Sequence, residues 1–342
     1  MKIIRRLLKA FLLIFLIFCE VLFILVVDYT IIDDNRINVV RQTVPINGLP
    51  PQFDGFTILQ ISDLHGKKFG NSEQGLTGII NTLDFDVVAI TGDSQDTSSK
   101  DIRPLLEIIH EIKKKTPIFY ISGNTGPYDI YNDTTGSARQ YSLDMSDGIV
   151  LADGRTLQNA GCTLLNQPQM IERGSARLWF ATDFSRSQSI VMVRQMKQEL
   201  LTTTRPSRKD ALNKHIDYQE NLQKIYASFQ PNDTLIGIFH IPLLYKTLED
   251  PQGLPPYDLV LAGHYHGGQI RLPYFGAIYI PDNSLPWFGL FPPQNLVSGL
   301  FTGNGIQQYI SRGLGASRRF PPLAYRLFDT PEINLITLRP SK

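Results

Sequence analysis

Three short apolar runs, Phe56 to Ile61, Val87 to Ile90 and Ile118 to Ile121, restrict the fold of this chain more than any other feature. Each is too short for a helix, and each reads as a strand buried on both faces. The segments between them, Ser72 to Leu83 and Ile102 to Lys114, have helical patterning. The second closes on a cationic turn that suits the helix dipole. Strand, helix, strand, helix, strand predicts a parallel sheet and an α/β fold. Before them, Ile37 to Ile46 reads as a strand ending in the Pro/Gly-rich turn Asn47 to Pro51, where the main domain begins. The pattern returns at Leu235 to Phe239 and Leu259 to Ala262, and Tyr309 to Leu338 adds strand candidates around the turn Gly313 to Gly315.

The middle of the chain, Tyr131 to Pro231, says less. It holds strand candidates at Thr163 to Asn166 and Arg177 to Thr182, then a charged helical stretch from Ser189 to Phe229, broken at Thr204 to Ser207. That stretch predicts a helical cap or a surface-packed pair, its charges forming a solvated face. With 42% hydrophobic residues the chain has material for a full core, which excludes disorder. The balance of 33 basic against 32 acidic side chains gives no broad nucleic-acid-binding face, and no nucleic-acid partner is expected. Two cysteines, Cys19 and Cys162, form no disulfide framework and read as small hydrophobes.

From Ala10 to Val27 every residue but Glu20 is apolar, about the length that crosses a hydrocarbon core as a helix. The run is long for a signal-peptide core, and no small-residue cleavage site follows, so an uncleaved anchor is expected. Lys2, Arg5, Arg6 and Lys9 precede it and Asp28, Asp33 and Asp34 follow it. The positive-inside tendency then places the N-terminus in the cytoplasm and the bulk of the protein outside, a single-pass protein of the cell membrane. Residues 1–30 are thus read as basic flank and transmembrane anchor, and 31–342 as the catalytic domain, with a helical insertion at about 186–230. Glu20, near the middle of the run, is a carboxyl that can be protonated or pair in a helix dimer.

Each buried run stops at polar residues: Ser62-Asp63-Leu64-His65, Thr91-Gly92-Asp93, Ser122-Gly123-Asn124, His240, and Gly263-His264-Tyr265-His266. In α/β sheets ligands gather beyond the carboxyl ends of the strands, so these endings predict one site. Asp63, His65, Asp93, Asn124, His240, His264 and His266 offer carboxylate, carboxamide and imidazole donors without a thiolate, a set suited to manganese, iron, zinc or magnesium. One residue between two ligands puts both side chains on the same side of an extended segment. Any one of these residues alone is an ordinary turn, cap or core residue. Four of the six histidines fall in the set, leaving His110 and His215 outside, and the coincidence carries the reading.

The ordered series Asp63-x-His65, Gly92-Asp93, Gly123-Asn124, His240 and Gly263-His264-x-His266 resembles the calcineurin-like metallophosphoesterases. The stretches Gly263 to Pro273 and Ile310 to Gly315 narrow the resemblance to a bacterial membrane-associated branch, with a phosphodiesterase and UDP-2,3-diacylglucosamine pyrophosphatase-like members. It covers nearly everything from about residue 37 onward, loosely in the middle third. The resemblance implies a four-layer α/β/β/α sandwich, larger than the single sheet that periodicity supports. It also implies two divalent cations, Mn, Fe or Zn, with Asp63, His65 and His266 holding one, Asn124, His240 and His264 the other, and Asp93 bridging. Asp63, Asp93, Asn124 and His240 would be the catalytic residues. Two cations a few ångströms apart can activate water, clamp phosphoryl oxygens and favour in-line displacement.

One departure bears on chemistry. The family has histidine directly after the Gly-Asn pair, where it stabilises the transition state or protonates the leaving group; here the residue is Thr125. A threonine hydroxyl is no comparable acid at neutral pH. Tyr128, Asp129 and His215 are candidate replacements, and Arg312 is a phosphate contact or a surface ion pair. The expected function is hydrolysis of a phosphodiester or pyrophosphate bond, on a membrane- or lipid-linked substrate. The competing expectations are a phosphatase for soluble nucleotides and a non-catalytic metal-binding protein.

Overall fold

The structure is a computed structural model that describes residues 2–70, 73–96, 101–112, 116–126, 149–182, 186–243, 255–280, 289–303, 305–317 and 325–341. A long apolar helix, α1 (Lys2–Asp34), leads into β1 (Asn38–Ile46). Then come β2 (Thr57–Ile61), α2 (Gln74–Ile80), β3 (Val87–Thr91), α3 (Arg103–Glu111) and β4 (Ile118–Ile121). The middle third contains α4 (Ile149–Asn159), β5 (Cys162–Leu164), β6 (Gln169–Arg173), β7 (Ala176–Ala181) and the helix pair α5 (Arg186–Thr202) and α6 (Pro206–Ala227). The chain closes with β8 (Thr234–Ile238), β9 (Leu259–Ala262), the short hairpin β10 (Arg271–Leu272) and β11 (Gly276–Ala277), then β12 (Gly299–Gly303), β13 (Ile306–Ile310) and β14 (Glu332–Pro340).

The strands form two six-stranded mixed sheets, β1-β14-β2-β3-β4-β5 and β12-β13-β9-β8-β7-β6. Here the structure corrects the single sheet expected from periodicity: β2, β3 and β4 are parallel neighbours in one sheet, while β7, β8 and β9 are parallel neighbours in the other. The physical reason is burial on both faces of each. Ile58, Val87, Ala89 and Phe119 meet Leu178, Phe180, Ile236 and Leu259 in a core between the sheets. The alternate residues Leu59, Ile61, Val88 and Ile90 pack outward against Leu76 and Ile80 of α2 and Leu105 and Ile108 of α3. On the far side, Trp179, Leu235 and Val260 are covered by Ile225 and Tyr226 at the end of α6 and by Phe229 just beyond it. A strand with helices on one side and a second sheet on the other has no polar face, so its sequence loses the alternation that would have announced two sheets.

Several boundaries shift. α3 stops at Glu111 because Ile112 turns extended (φ −69°, ψ 138°) and buries its side chain, so the expected cationic last turn is not part of it; residues 113–115 lie outside the described set. Periodicity missed β6 and β12, two strands at sheet edges, and α4. α1 is fixed to the domain at its C-terminal end. Lys67 Nζ donates to Asp34 Oδ1 at 2.7 Å, Thr330 Oγ1 donates to Asp33 Oδ1 at 2.6 Å, and the Tyr29 and Phe328 rings lie 5.3 Å apart.

Candidate metal centre

The carboxyl ends of strands from both sheets meet at one edge of the sandwich. Gln60 Nε2 crosses from β2 to donate to the Ala262 carbonyl on β9 at 2.8 Å, Asp63 N–H donates to the Gly92 carbonyl, and Gly263 N–H donates to the His240 carbonyl. Close approach is enforced by glycine where the motifs demand it. A Cβ on Gly92 would lie 2.7 Å from His240 Nδ1, and one on Gly263 would collide with Ser62 and Asp63.

The backbone bends sharply to deliver the side chains. Asp63, His65, Asp93, His264 and His266 all adopt left-handed φ, between 47° and 72°. Such conformations cost of order 1 kcal/mol each in residues other than glycine and persist where the surrounding structure over-determines them.

Four buried side chains, Asp63, His65, Asp93 and His266, place one donor atom each within 4.8 Å of one another. His65 Nε2 is 3.2 Å from His266 Nε2 and 3.5 Å from Asp93 Oδ2; His266 Nε2 is 3.7 Å from Asp63 Oδ1. The remaining three residues adjoin through Asp93 and His240. Asp93 Oδ2 is also 3.5 Å from His240 Nε2, which lies 3.1 Å from His264 Nδ1, itself 3.3 Å from the Asn124 amide. All seven residues singled out in the sequence therefore meet, with Asp93 between two groups of three.

Surrounding hydrogen bonds set the orientations. His240 Nδ1–H donates to the Thr91 carbonyl (3.0 Å) and His266 Nδ1–H to the Gly315 carbonyl (3.3 Å), leaving the Nε2 atom of each facing the cluster. Asp63 accepts from His264 N–H at 3.1 Å and from the Ser62 hydroxyl; Asp93 Oδ1 accepts from Thr125 N–H at 2.8 Å. Burial pushes the Asp63 carboxyl up to about 6, with His240 pulling down and Asp93 up. Burial also works against the charge of Asp93, but the hydrogen bond and charge of His240, with His65 and the Thr125 N–H, hold it below the usual carboxylate range. His240 is pushed up to about 9: burial opposes its charge, and Asp93 and Asp63 outweigh burial. Burial, His65 and Arg326 keep His266 neutral. Imidazole nitrogens 3.2 Å apart beside two buried carboxylates form a ring of inward-facing donors that a divalent cation fits, and all are oxygen or nitrogen.

Thr125 has an occupation of its own. Its hydroxyl donates to the Gln95 carbonyl at 3.0 Å, and its own carbonyl accepts from Gln95 Nε2, so it ties the loop after β3 to the loop after β4. Tyr128 and Asp129 lie outside the described residues. His215 lies within α6, a helix whose end packs on the outer face of the second sheet, and nothing among the described residues joins it to the cluster. Arg312 is engaged by carboxylates, with Nη1 3.6 Å from Asp329 Oδ1 and Nε 3.7 Å from Glu332 Oε2.

Sequence reasoning missed Arg326, which is 1% exposed. Its guanidinium donates to the Gly315 carbonyl at 2.7 Å, to Arg312 O at 3.0 Å and to Asp329 Oδ2 at 2.7 Å, and so holds the same Gly315 carbonyl that orients His266. No motif or spacing marks an arginine sixty residues from the ligand it steadies.

A family model described as calcineurin-like phosphoesterase matches residues 56–268. The chain is 25% identical over 315 residues to the uncharacterized metallophosphoesterase YkuE of Bacillus subtilis (90% of this chain, 87% of that one). It is 23% identical over 251 residues to a transmembrane protein with metallophosphoesterase domain of Bos taurus (69% and 48%). It is 34% identical over 113 residues to the UDP-2,3-diacylglucosamine pyrophosphatase LpxG of Chlamydia muridarum (32% and 31%).

Proposed function

The chain belongs to the calcineurin-like phosphoesterase family, a family of metal-dependent phosphoesterases, and from that premise we propose a membrane-anchored phosphohydrolase that cleaves a phosphodiester or pyrophosphate bond of a lipid-linked substrate. The observation that carries the reading is the position of Asp93, equidistant at 3.5 Å from an imidazole of each group of three. In this reading Asp63, His65 and His266 hold one cation, Asn124, His240 and His264 the other, and Asp93 is shared. When bound, the cations supply Lewis-acid polarisation of phosphoryl oxygens and lower the pKa of an attacking water. The chain contributes preorganisation: Thr91 and Gly315 carbonyls fix the tautomers of His240 and His266, and Ser62, His264 N–H and Thr125 N–H fix the carboxylates.

The leaving group departs without a protein acid at position 125, since the Thr125 hydroxyl is committed to Gln95. Phosphate, uridylate-type and aryl oxide leaving groups suit such a site because they depart as stable anions. The anchor reading draws support from α1, long and apolar enough to span a membrane and exposed from residue 4 to residue 25, and from the bovine transmembrane relative. The name of LpxG favours a lipid-linked pyrophosphate as substrate class. Residues 1–30 are proposed as the anchor with its N-terminus cytoplasmic, and 31–342 as an extracytoplasmic catalytic domain in which α5 and α6 form the helical insertion.

The test uses the purified full chain in detergent with added manganese. Hydrolysis of a chromogenic diester, and a higher kcat/KM for a lipid-linked nucleoside pyrophosphate in mixed micelles than for soluble nucleotides, are expected. No hydrolysis of any phosphate ester after loading with manganese, iron or zinc would leave a metal-binding protein instead. Equal rates on lipid and soluble nucleotides would sink the lipid assignment alone.

A further inference from the structure

Isolated apolar side chains on a protein surface need no explanation, but a cluster confined to one edge does. The turn between β10 and β11 carries Tyr274, fully exposed, and Phe275, 71% exposed, with Leu272 at its base. Beside it lie Tyr279, Leu290 and Phe291, all exposed, joined by the Tyr279–Leu290 bridge and by Phe291 N–H donating to the Ile278 carbonyl. Tyr274 and Phe291 adopt left-handed φ, 69° and 44°, as does nearby Phe328 at 51°. For bulky side chains this geometry is an outlier that costs of order 1 kcal/mol or more. Displaying a ring to water returns nothing for that strain.

The patch is continuous with the place where α1 meets the domain. Leu327 N–H donates to the Gln269 carbonyl and Arg271 N–H to the Leu327 carbonyl, so the segment that carries Phe328 is paired with the start of the hairpin. Phe328 in turn packs on Tyr29, two residues past the end of the apolar run and therefore about 3 Å further along the helix axis. Tyr274 is three residues beyond Arg271, a reach of at most about 10 Å. At its other end the same segment adjoins the metal centre: Gln269 N–H donates to the His266 carbonyl, and Arg271 Nη1 to the Gly267 carbonyl at 2.7 Å.

We propose that this hairpin, with Leu290 and Phe291, inserts into the interfacial layer of the same bilayer that holds α1, so that the metal centre opens beside the membrane surface. Tyrosine at a loop tip suits the boundary between headgroups and acyl chains, because one end of its ring is apolar and the other polar, and phenylalanine adds apolar area to the inserted face. Six side chains fall well short of the roughly 20–30 residues a side that a stable dimer uses, which argues against a second copy as the occupant. The inference rests on the anchor reading given under Proposed function.

The experiment places an environment-sensitive fluorophore on single cysteines in the full chain reconstituted in vesicles of zwitterionic and anionic phospholipid. The sites are Phe275→Cys, Phe15→Cys and Lys209→Cys, in a Cys19→Ala background. Cys162 is buried, with its thiol pushed up to about 12, and does not compete for label. Lipids with a nitroxide near the headgroup should quench the label at 275 at least about twofold more than the label at 209, in keeping with insertion of 5–10 Å, while deep nitroxides quench the label at 15. A label at 275 that stays in water while the label at 15 is in lipid overturns the hairpin contact and leaves the anchor standing. A label at 15 that stays in water overturns both. A response at 275 that needs no nitroxide lipid and grows with protein concentration assigns the patch to a second copy and also overturns the proposal.

Discussion

On one side of Asp93, the side chains of Asp63, His65 and His266 are sealed from solvent; on the other, His240 is buried too, but His264 is half-buried and Asn124 exposed. On the sealed side Ser62 donates to Asp63, and Arg326 stands behind the Gly315 carbonyl that orients His266. On the open side the Thr91 carbonyl orients His240. In the proposed two-cation reading that difference would divide labour: the sealed half would hold its cation in a poorly hydrated frame, and substrate and solvent would enter at the exposed half.

The largest effect is expected where the halves join. Asp93→Ala should lower kcat/KM for a chromogenic diester by at least about a thousandfold, roughly 4 kcal/mol, because both halves lose a shared oxygen. Metal analysis should find both sites weakened; loss confined to one would break the symmetry argued for Asp93.

Next comes the open half. Thr125→His should raise activity on alkyl diesters relative to aryl diesters, by up to about a hundredfold, since only the basic alkoxide needs a proton. Equal gains on both, or none, would mean that leaving-group protonation is not what this position controls.

The sealed half is probed more gently by Arg326→Lys, which keeps the charge but loses the fork that grips Gly315, Arg312 and Asp329 together. Affinity for the more tightly held cation should fall about tenfold, the lower end of what outer partners of metal ligands contribute. A drop in thermal stability with both affinities unchanged would confine Arg326 to the fold.

The smallest effect serves as a baseline remote from both halves. Asp258 accepts the Leu235 N–H at 2.8 Å, yet burial pushes its carboxyl up to about 6 from 3.8. A raised folded-state pKa contributes stability that is fully present below about pH 4 and is lost as pH rises through 6. Asp258→Asn keeps the acceptor and removes the charge, so its advantage in melting experiments should grow from pH 4 to pH 7, reaching about 1 kcal/mol. A flat difference across that range would refute the burial argument.

The strands β2, β3, β4, β8 and β9 were legible because each is an apolar run cut off by a polar motif, and the seven donor residues were legible because they are those motifs. The distribution of strands between two sheets was not, because Val88 and Ala89 face different layers that are equally apolar. β6 and β12 escaped because edge strands carry exposed, mixed residues such as Met170 and Thr302. The role of Thr125 could be read only as an absence; its hydrogen bonds to Gln95 depend on two loops thirty residues apart becoming neighbours.

By itself the order of residues determined the chemistry available: oxygen and nitrogen donors at strand ends, glycines where backbones must touch, and one helix apolar enough for a bilayer. Donor type is a property of each side chain and survives unfolding. Only the tertiary structure decided which donors adjoin Asp93, which are sealed, and that Arg326 stands behind the centre, because distance, burial and hydration arise between segments that local sequence does not connect.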